Sequence, residues 1–373
     1  MQISRRDFLK AAAVFLTATQ VAGLKKALAG YGLPPVIWLQ GQGCTGCSVS
    51  FLNSVYYATV DELLTGVVDL KYHSTVMGVA GAPAVSPARL RSVSATEVSA
   101  LSGEWLSEGD DLVFDLNKDG LVDMSDFAAL QQQGYVLVVE GAIPFGADGR
   151  FCDAGGGMTM VEALRTFAGP ANAVLAVGTC AAYGGISAGA PNPTGAVGVK
   201  SALGTLGINK TVIRIPGCPT HPDWIVGTVA DLLAGKTPAL DADGRPLSFF
   251  GATVHERCPN KARYDADFAR RVDRHGEEVS VNGRSCLTCH ANTDGHVKNP
   301  RQLGMTGCLY PLNCKGRVTH ADCPVRKWNS AGKGEYGVNW CVGGRSPCHA
   351  CTERSFPDGV SPFFTPNGPG ADD

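Results

Sequence analysis

Charge of either sign is sparse in this sequence. Only 18% of the 373 residues are Asp, Glu, Lys or Arg, and 32 basic residues stand against 34 acidic ones, a formal net charge of −2. Without a basic stripe there is no electrostatic footprint for nucleic acid, and without an acidic run there is no solvating tail. Long apolar runs are also missing. Beyond Leu24 no stretch of about 18 apolar residues follows, so no transmembrane anchor of its own is expected, and Phe363 to Pro369 reads as loop. What is abundant is cysteine, with 14. In a chain this long, with 44% hydrophobic content to build cores, those cysteines are not the staples of a miniature secreted scaffold, and metal or redox chemistry leads.

Residues 1–29 read as an export signal. Ser4-Arg5-Arg6-Asp7-Phe8-Leu9-Lys10 precedes the apolar stretch Ala11 to Leu24, and Ala27-Leu28-Ala29 forms a cleavage site. The double arginine predicts the twin-arginine route, which carries proteins already folded around a cofactor, and a periplasmic location.

From Pro34 to about Gly235 short apolar strands alternate with helical stretches, the pattern of a parallel sheet covered by helices, in a domain expected over 30–238. The strands read Val36 to Leu39, Val67 to Leu70, Tyr135 to Val139, Val174 to Val177 and Thr211 to Ile215. Three of them lead directly into cysteine: Cys44 and Cys47, then Cys180, then Cys218. In an open α/β sheet the carboxyl ends of the strands share one edge, so these four thiols can converge on a single metal centre. Zinc or buried free thiols are the plainer alternatives.

Residues 239–373 lose the alternation and are rich in Gly, Pro and Cys, so metal centres are expected to hold this domain together. Spacing suggests two ligand sets. His255 and Cys258, an i, i+3 pair, go with Cys308 and Cys314, while Cys323, Cys341, Cys348 and Cys351 form the other.

Read in order, Cys44-Thr45-Gly46-Cys47, Val139-Glu140-Gly141-Ala142-Ile143-Pro144, Gly178-Thr179-Cys180-Ala181, Pro216-Gly217-Cys218-Pro219, Val254 to Pro259, Cys308 to Gly316 and Pro347 to Cys351 resemble the small subunits of nickel-iron hydrogenases. The resemblance covers nearly all of residues 34–363 except two insertions. It implies a flavodoxin-like α/β domain with a proximal 4Fe-4S cluster on Cys44, Cys47, Cys180 and Cys218, followed by an irregular cluster-binding domain. There it implies a distal 4Fe-4S cluster on His255, Cys258, Cys308 and Cys314, and a medial cluster on Cys323, Cys348 and Cys351. It also implies a large-subunit partner holding the nickel-iron site, since this chain lacks that partner's paired C-x-x-C motifs. Electrons from hydrogen would leave through three clusters to a cytochrome c or a membrane acceptor, and no catalytic residue is expected in this chain.

Three departures from the family pattern matter. Cys341 stands where many relatives have proline, so the medial cluster is expected to be 4Fe-4S rather than 3Fe-4S. Gly46 lacks the extra cysteine of oxygen-tolerant relatives, and Val49 replaces a glutamate linked to proton transfer.

The insertions carry their own motifs. In the first, about 92–133, Asp115, Asn117, Asp119, Leu121, Asp123 and Asp126 follow the spacing of an EF-hand or dockerin-like calcium loop, with Gly120 at its turn. In the second, about 270–306, Cys286-Leu287-Thr288-Cys289-His290 matches the attachment signature of haem c, against a zinc or disulfide reading. Cys152 is left without a partner. Two rival functions remain in view: the iron–sulfur subunit of a related quinone-linked oxidoreductase, which shares only the first domain, and a calcium-dependent adhesion or scaffold module.

Overall fold

The computed structural model describes residues 35–74, 135–155, 158–233, 236–267 and 307–363. Both insertions, with the calcium-loop residues 115–126 and the 286–290 signature, lie outside the described residues, as does the export signal. The chain forms two compact units, Met1–Pro246 and Leu247–Asp373.

The first unit is built on a five-stranded sheet. Its strands are β1 (Pro35–Gln40), β2 (Asp69–His73), β3 (Val136–Glu140), β4 (Ala173–Val177) and β5 (Val212–Ile215). They pair in the order β2-β1-β3-β4-β5, all parallel, which is the flavodoxin-like order. Both faces of such a sheet must be covered, and the central strands β1, β3 and β4 accordingly read as near-continuous apolar runs. One face buries Ile37, Leu39, Leu137, Val139, Val174 and Ala176 against helices α3 (Met160–Phe167) and α5 (Val199–Thr205). On the other, Val36, Trp38 and Val138 line an apolar cavity with residues of α1 (Gly46–Leu52), α2 (Val60–Gly66) and α6 (Pro222–Leu233). Each fully buried large aliphatic side chain contributes about 1.5–3 kcal/mol to holding these layers together.

Local sequence signals set the element ends. Thr159 and Glu162 cap α3 reciprocally: the Glu162 N–H donates to Thr159 Oγ1 at 3.2 Å, and the Thr159 N–H donates to Glu162 Oε2 at 2.8 Å. The second strand corrects the sequence expectation. Val67 closes α2, its N–H donating to Leu63 O at 3.1 Å, so the strand begins at Asp69 and runs to His73. A short β-branched pair at a helix end looks like a strand start because both are buried. Residues 241–245 belong to the first unit because the Arg214 N–H of β5 donates to Gly244 O at 2.8 Å.

Register places the site. Gln40 lies level with Glu140, Glu140 with Val177, and Val177 with Ile215, so four strands end on one line. Helix α4 (Gly178–Tyr183) starts at once from β4. The second unit has little regular structure: helices α7 (Leu247–Phe250), α8 (Lys261–Asp267) and α9 (Cys323–Arg326), a small hairpin of Trp328–Ser330 with Gly337–Asn339, and turns. No described helix is long and apolar enough to cross a membrane.

Candidate metal centres

The loops that follow β1, β4 and β5 bring Cys44, Cys47, Cys180 and Cys218 together. Cys47 is buried on α1 and feels the like charge of Cys180 and Cys44; Cys218 feels the same two. Burial pushes the Cys47 thiol well up, with Glu140 adding to it, and pushes Cys218 up to about 11. Backbone hydrogen bonds lace these loops. Gln42 and Ala142 exchange N–H to O bonds of 2.8 Å, and the Thr179 N–H donates to Gly217 O at 2.9 Å. Gly178, at φ +87°, sits so close to Cys47 that a Cβ there would lie 2.5 Å from its Sγ. Ser187 stands 4.0 Å from Cys180 Sγ and donates to Gln42 O at 2.8 Å.

Glu140, which its sequence motif left without a role, lies against the Cys47 loop. It is buried at 4% exposure, and its Oε1 accepts the N–H of Cys47 at 2.9 Å and of Ser48 at 3.2 Å. Oε2 takes the Trp38 Nε1–H at 3.1 Å and a short bond from Ser48 Oγ, which also faces His73 Nε2 at 3.3 Å. The available signal was a carboxylate ending an otherwise apolar strand, because a buried charge needs partners.

In the second unit His255, Cys258, Cys308 and Cys314 line one cavity with Tyr264, Tyr310 and Arg317. The Asn260 N–H reaches Cys258 Sγ at 3.4 Å. Burial, followed by Lys261 and Arg317, holds His255 below the usual histidine range. Cys323 gathers Cys351, Cys348 and Cys341 around it; burial and then these like charges push its thiol well up. Cys341 is exposed as a residue, although its sulfur is covered enough for burial to raise it. The two groups touch, since the Cys348 N–H donates to Cys314 Sγ at 3.2 Å and the Lys315 N–H to Cys348 O at 2.8 Å. Cys152 stands apart, its Sγ 3.9 Å from Gln40 O and its thiol pushed up to about 11 by burial.

This donor set fits iron–sulfur clusters. Burial and then neighbouring thiols discourage Cys47, Cys218, Cys323 and Cys348 from ionising; a cationic centre reverses that and holds coordinating thiols deprotonated. Among the described residues no three His, Cys, Asp or Glu side chains close tightly enough for a single metal ion.

Residues 44–232 match the family described as NADH ubiquinone oxidoreductase, 20 Kd subunit, and residues 250–364 match the C-terminal family of the NiFe/NiFeSe hydrogenase small subunit. The periplasmic NiFeSe hydrogenase small subunit of Desulfomicrobium baculatum is 35% identical, covering 98% of this chain and 99% of its own. The chain belongs to the nickel-iron hydrogenase small subunits. Another relative, the periplasmic NiFe hydrogenase small subunit 1 of Nitratidesulfovibrio vulgaris, is 34% identical over 97% of this chain and 93% of its own. Among solved structures, a reduced, active form of the Desulfomicrobium baculatum NiFeSe hydrogenase superposes with a TM-score of 0.65 at 34% identity, over 89% of this chain and 99% of that one. The NiFeSe hydrogenase of Desulfovibrio vulgaris Hildenborough gives a TM-score of 0.62 at 37% identity, over 89% of this chain and 98% of that one. The match over residues 250–364 separates this hydrogenase small subunit from a quinone-linked protein sharing the first unit alone.

Proposed function

We propose that this chain is the electron-transferring small subunit of a periplasmic heterodimeric hydrogenase, with hydrogen activated at a nickel-iron site on the large subunit. Cys44, Cys47, Cys180 and Cys218 would hold a proximal 4Fe-4S cluster. Cys323, Cys341, Cys348 and Cys351 would hold a medial one, a cubane rather than 3Fe-4S, and His255, Cys258, Cys308 and Cys314 a distal one. When bound, such clusters accept and pass single electrons. The chain's own residues cage them, exclude water and aim N–H groups at sulfur, which sets potentials.

The observation that carries this reading is the cavity in which one histidine and three cysteines from distant parts of the chain meet. The contact between Cys314 and Cys348 supports a short hop between medial and distal centres. A large-subunit partner is supported by apolar side chains left exposed near the proximal cysteines: Val49, on the Cys47 helix, at 54%, and Ile186, next to Ser187, at 59%. The acceptor would be a cytochrome c or a membrane acceptor, reached after export by the twin-arginine route.

Co-expression with the large subunit tests the assignment. Hydrogen-dependent dye reduction, with iron and sulfide in the purified pair, is the expected result; Ile186→Glu should lower recovery of the pair. An iron-free small subunit would overturn it. The insertions add two further proposals: a calcium ion on Asp115, Asn117, Asp119, Leu121, Asp123 and Asp126, and a covalent haem on Cys286, Cys289 and His290. Calorimetry at millimolar calcium and a pyridine haemochrome assay decide them separately.

A further inference from the structure

The cavity around His255 contains more than its ligand set. Tyr264 meets the His255 ring nearly edge-on, with centroids 4.6 Å apart and planes at 82°, and Tyr310 meets Tyr264 in the same way at 5.2 Å and 83°. Over both phenol rings lies Arg317, its guanidinium carbon 5.3 Å from the Tyr264 centroid and 5.8 Å from that of Tyr310. Such contacts attract a cation to the negative ring face and hold a planar guanidinium in place. The backbone fixes it too, since the His255 N–H donates to the carbonyl of Gly316, the residue before Arg317, at 2.9 Å.

Two cations flank this imidazole, and they differ. Lys261, the stronger of the two at His255, is paired with Asp265 at 2.5 Å, which offsets part of its field. Arg317 has no carboxylate partner among the described residues, and aromatic rings offer attraction without a compensating negative charge. An electron arriving at a centre adds one negative charge, which a nearby uncompensated cation stabilises. Because Arg317 is exposed, salt and water weaken its field with distance, so the effect depends on the rings keeping it near His255.

We infer that Arg317 is a positioning residue of the electron exit, clamped by Tyr264 and Tyr310 so that its charge beside His255 makes this centre easier to reduce. The inference rests on the reading of His255, Cys258, Cys308 and Cys314 as a cluster site.

The test is an EPR-monitored redox titration of the purified heterodimer and its R317Q, R317K, Y264F and Y264A variants, with iron and sulfide measured in each. The distal signal is defined as the one that H255A changes. In R317Q that signal should move to lower potential while the other signals stay in place and iron content is unchanged. R317K, which keeps charge without the planar stack, should move it less. Y264F should leave it near the parent value, and Y264A should move it part of the way. A distal potential unchanged in R317Q overturns the role of Arg317, as does an equal movement of every signal. If no signal responds to H255A and its iron content equals the parent's, the cluster assignment itself fails, and the inference with it.

Discussion

Glu140 Oε1 accepts the backbone N–H of Cys47 at 2.9 Å, so a carboxylate from the end of β3 holds a cysteine at the start of α1. The same carboxylate serves Trp38 Nε1 and the Ser48 N–H. Glu140→Ala would leave these buried donors without an acceptor, at about 1–3 kcal/mol each. We expect a clear fall in the melting temperature of the heterodimer, largely restored in Glu140→Gln, which keeps an acceptor oxygen. Equal stability of the alanine variant and the parent would show that water satisfies these groups.

His73 is fully buried, with Ser48 Oγ at 3.3 Å, the Trp38 ring at 4.9 Å and Glu140 beyond Ser48. Burial lowers its pKa from 6.5 to about 4. The fold therefore binds the neutral ring, and the unfolded chain takes up the extra proton between these values. This contribution is complete above pH 6.5, declines as the pH falls, and is gone below about 4. A shift of that size corresponds to roughly 3 kcal/mol. Denaturant titrations from pH 7 to 4 should show a shallower loss of stability in His73→Gln than in the parent, and parallel slopes would refute the assignment.

Gly178 occupies a backbone conformation at φ +87° that L side chains rarely adopt, against the Cys47 sulfur. Gly178→Ala is expected to displace Cys47 and lower iron content by about one cluster per heterodimer, with the second unit's signals kept. Full iron content in this variant would mean that the loop before Cys180 can yield.

Cys341 is one of the thiols gathered around Cys323. The oxidised parent should show no stoichiometric 3Fe-4S EPR signal, and Cys341→Pro should create one while keeping Cys323, Cys348 and Cys351 as ligands. A 3Fe-4S signal already present in the parent would remove Cys341 from the ligand set.

Much of this was legible in order along the chain. Apolar runs such as Val136 to Val139 announce strands buried on both faces, and cysteines directly after strands announce a shared edge, because parallel strands end together. The boundary at Val67 was not legible, since a buried β-branched pair fits a helix end and a strand start equally well. Neither was the role of Glu140, whose partners Trp38, Cys47 and Ser48 are about 90 to 100 residues away in sequence.

The sequence by itself determined the family, the α/β architecture and the identity of the candidate ligands, because thiol and imidazole chemistry belongs to residue type and short spacing. Only the tertiary structure decided what surrounds them: the carboxylate that holds the Cys47 amide, the glycine that makes room for its sulfur, and the arginine laid over two tyrosines beside His255. Those depend on the register of β1, β3, β4 and β5 and on turns of the second unit, where long-range backbone hydrogen bonds bring distant side chains within contact range.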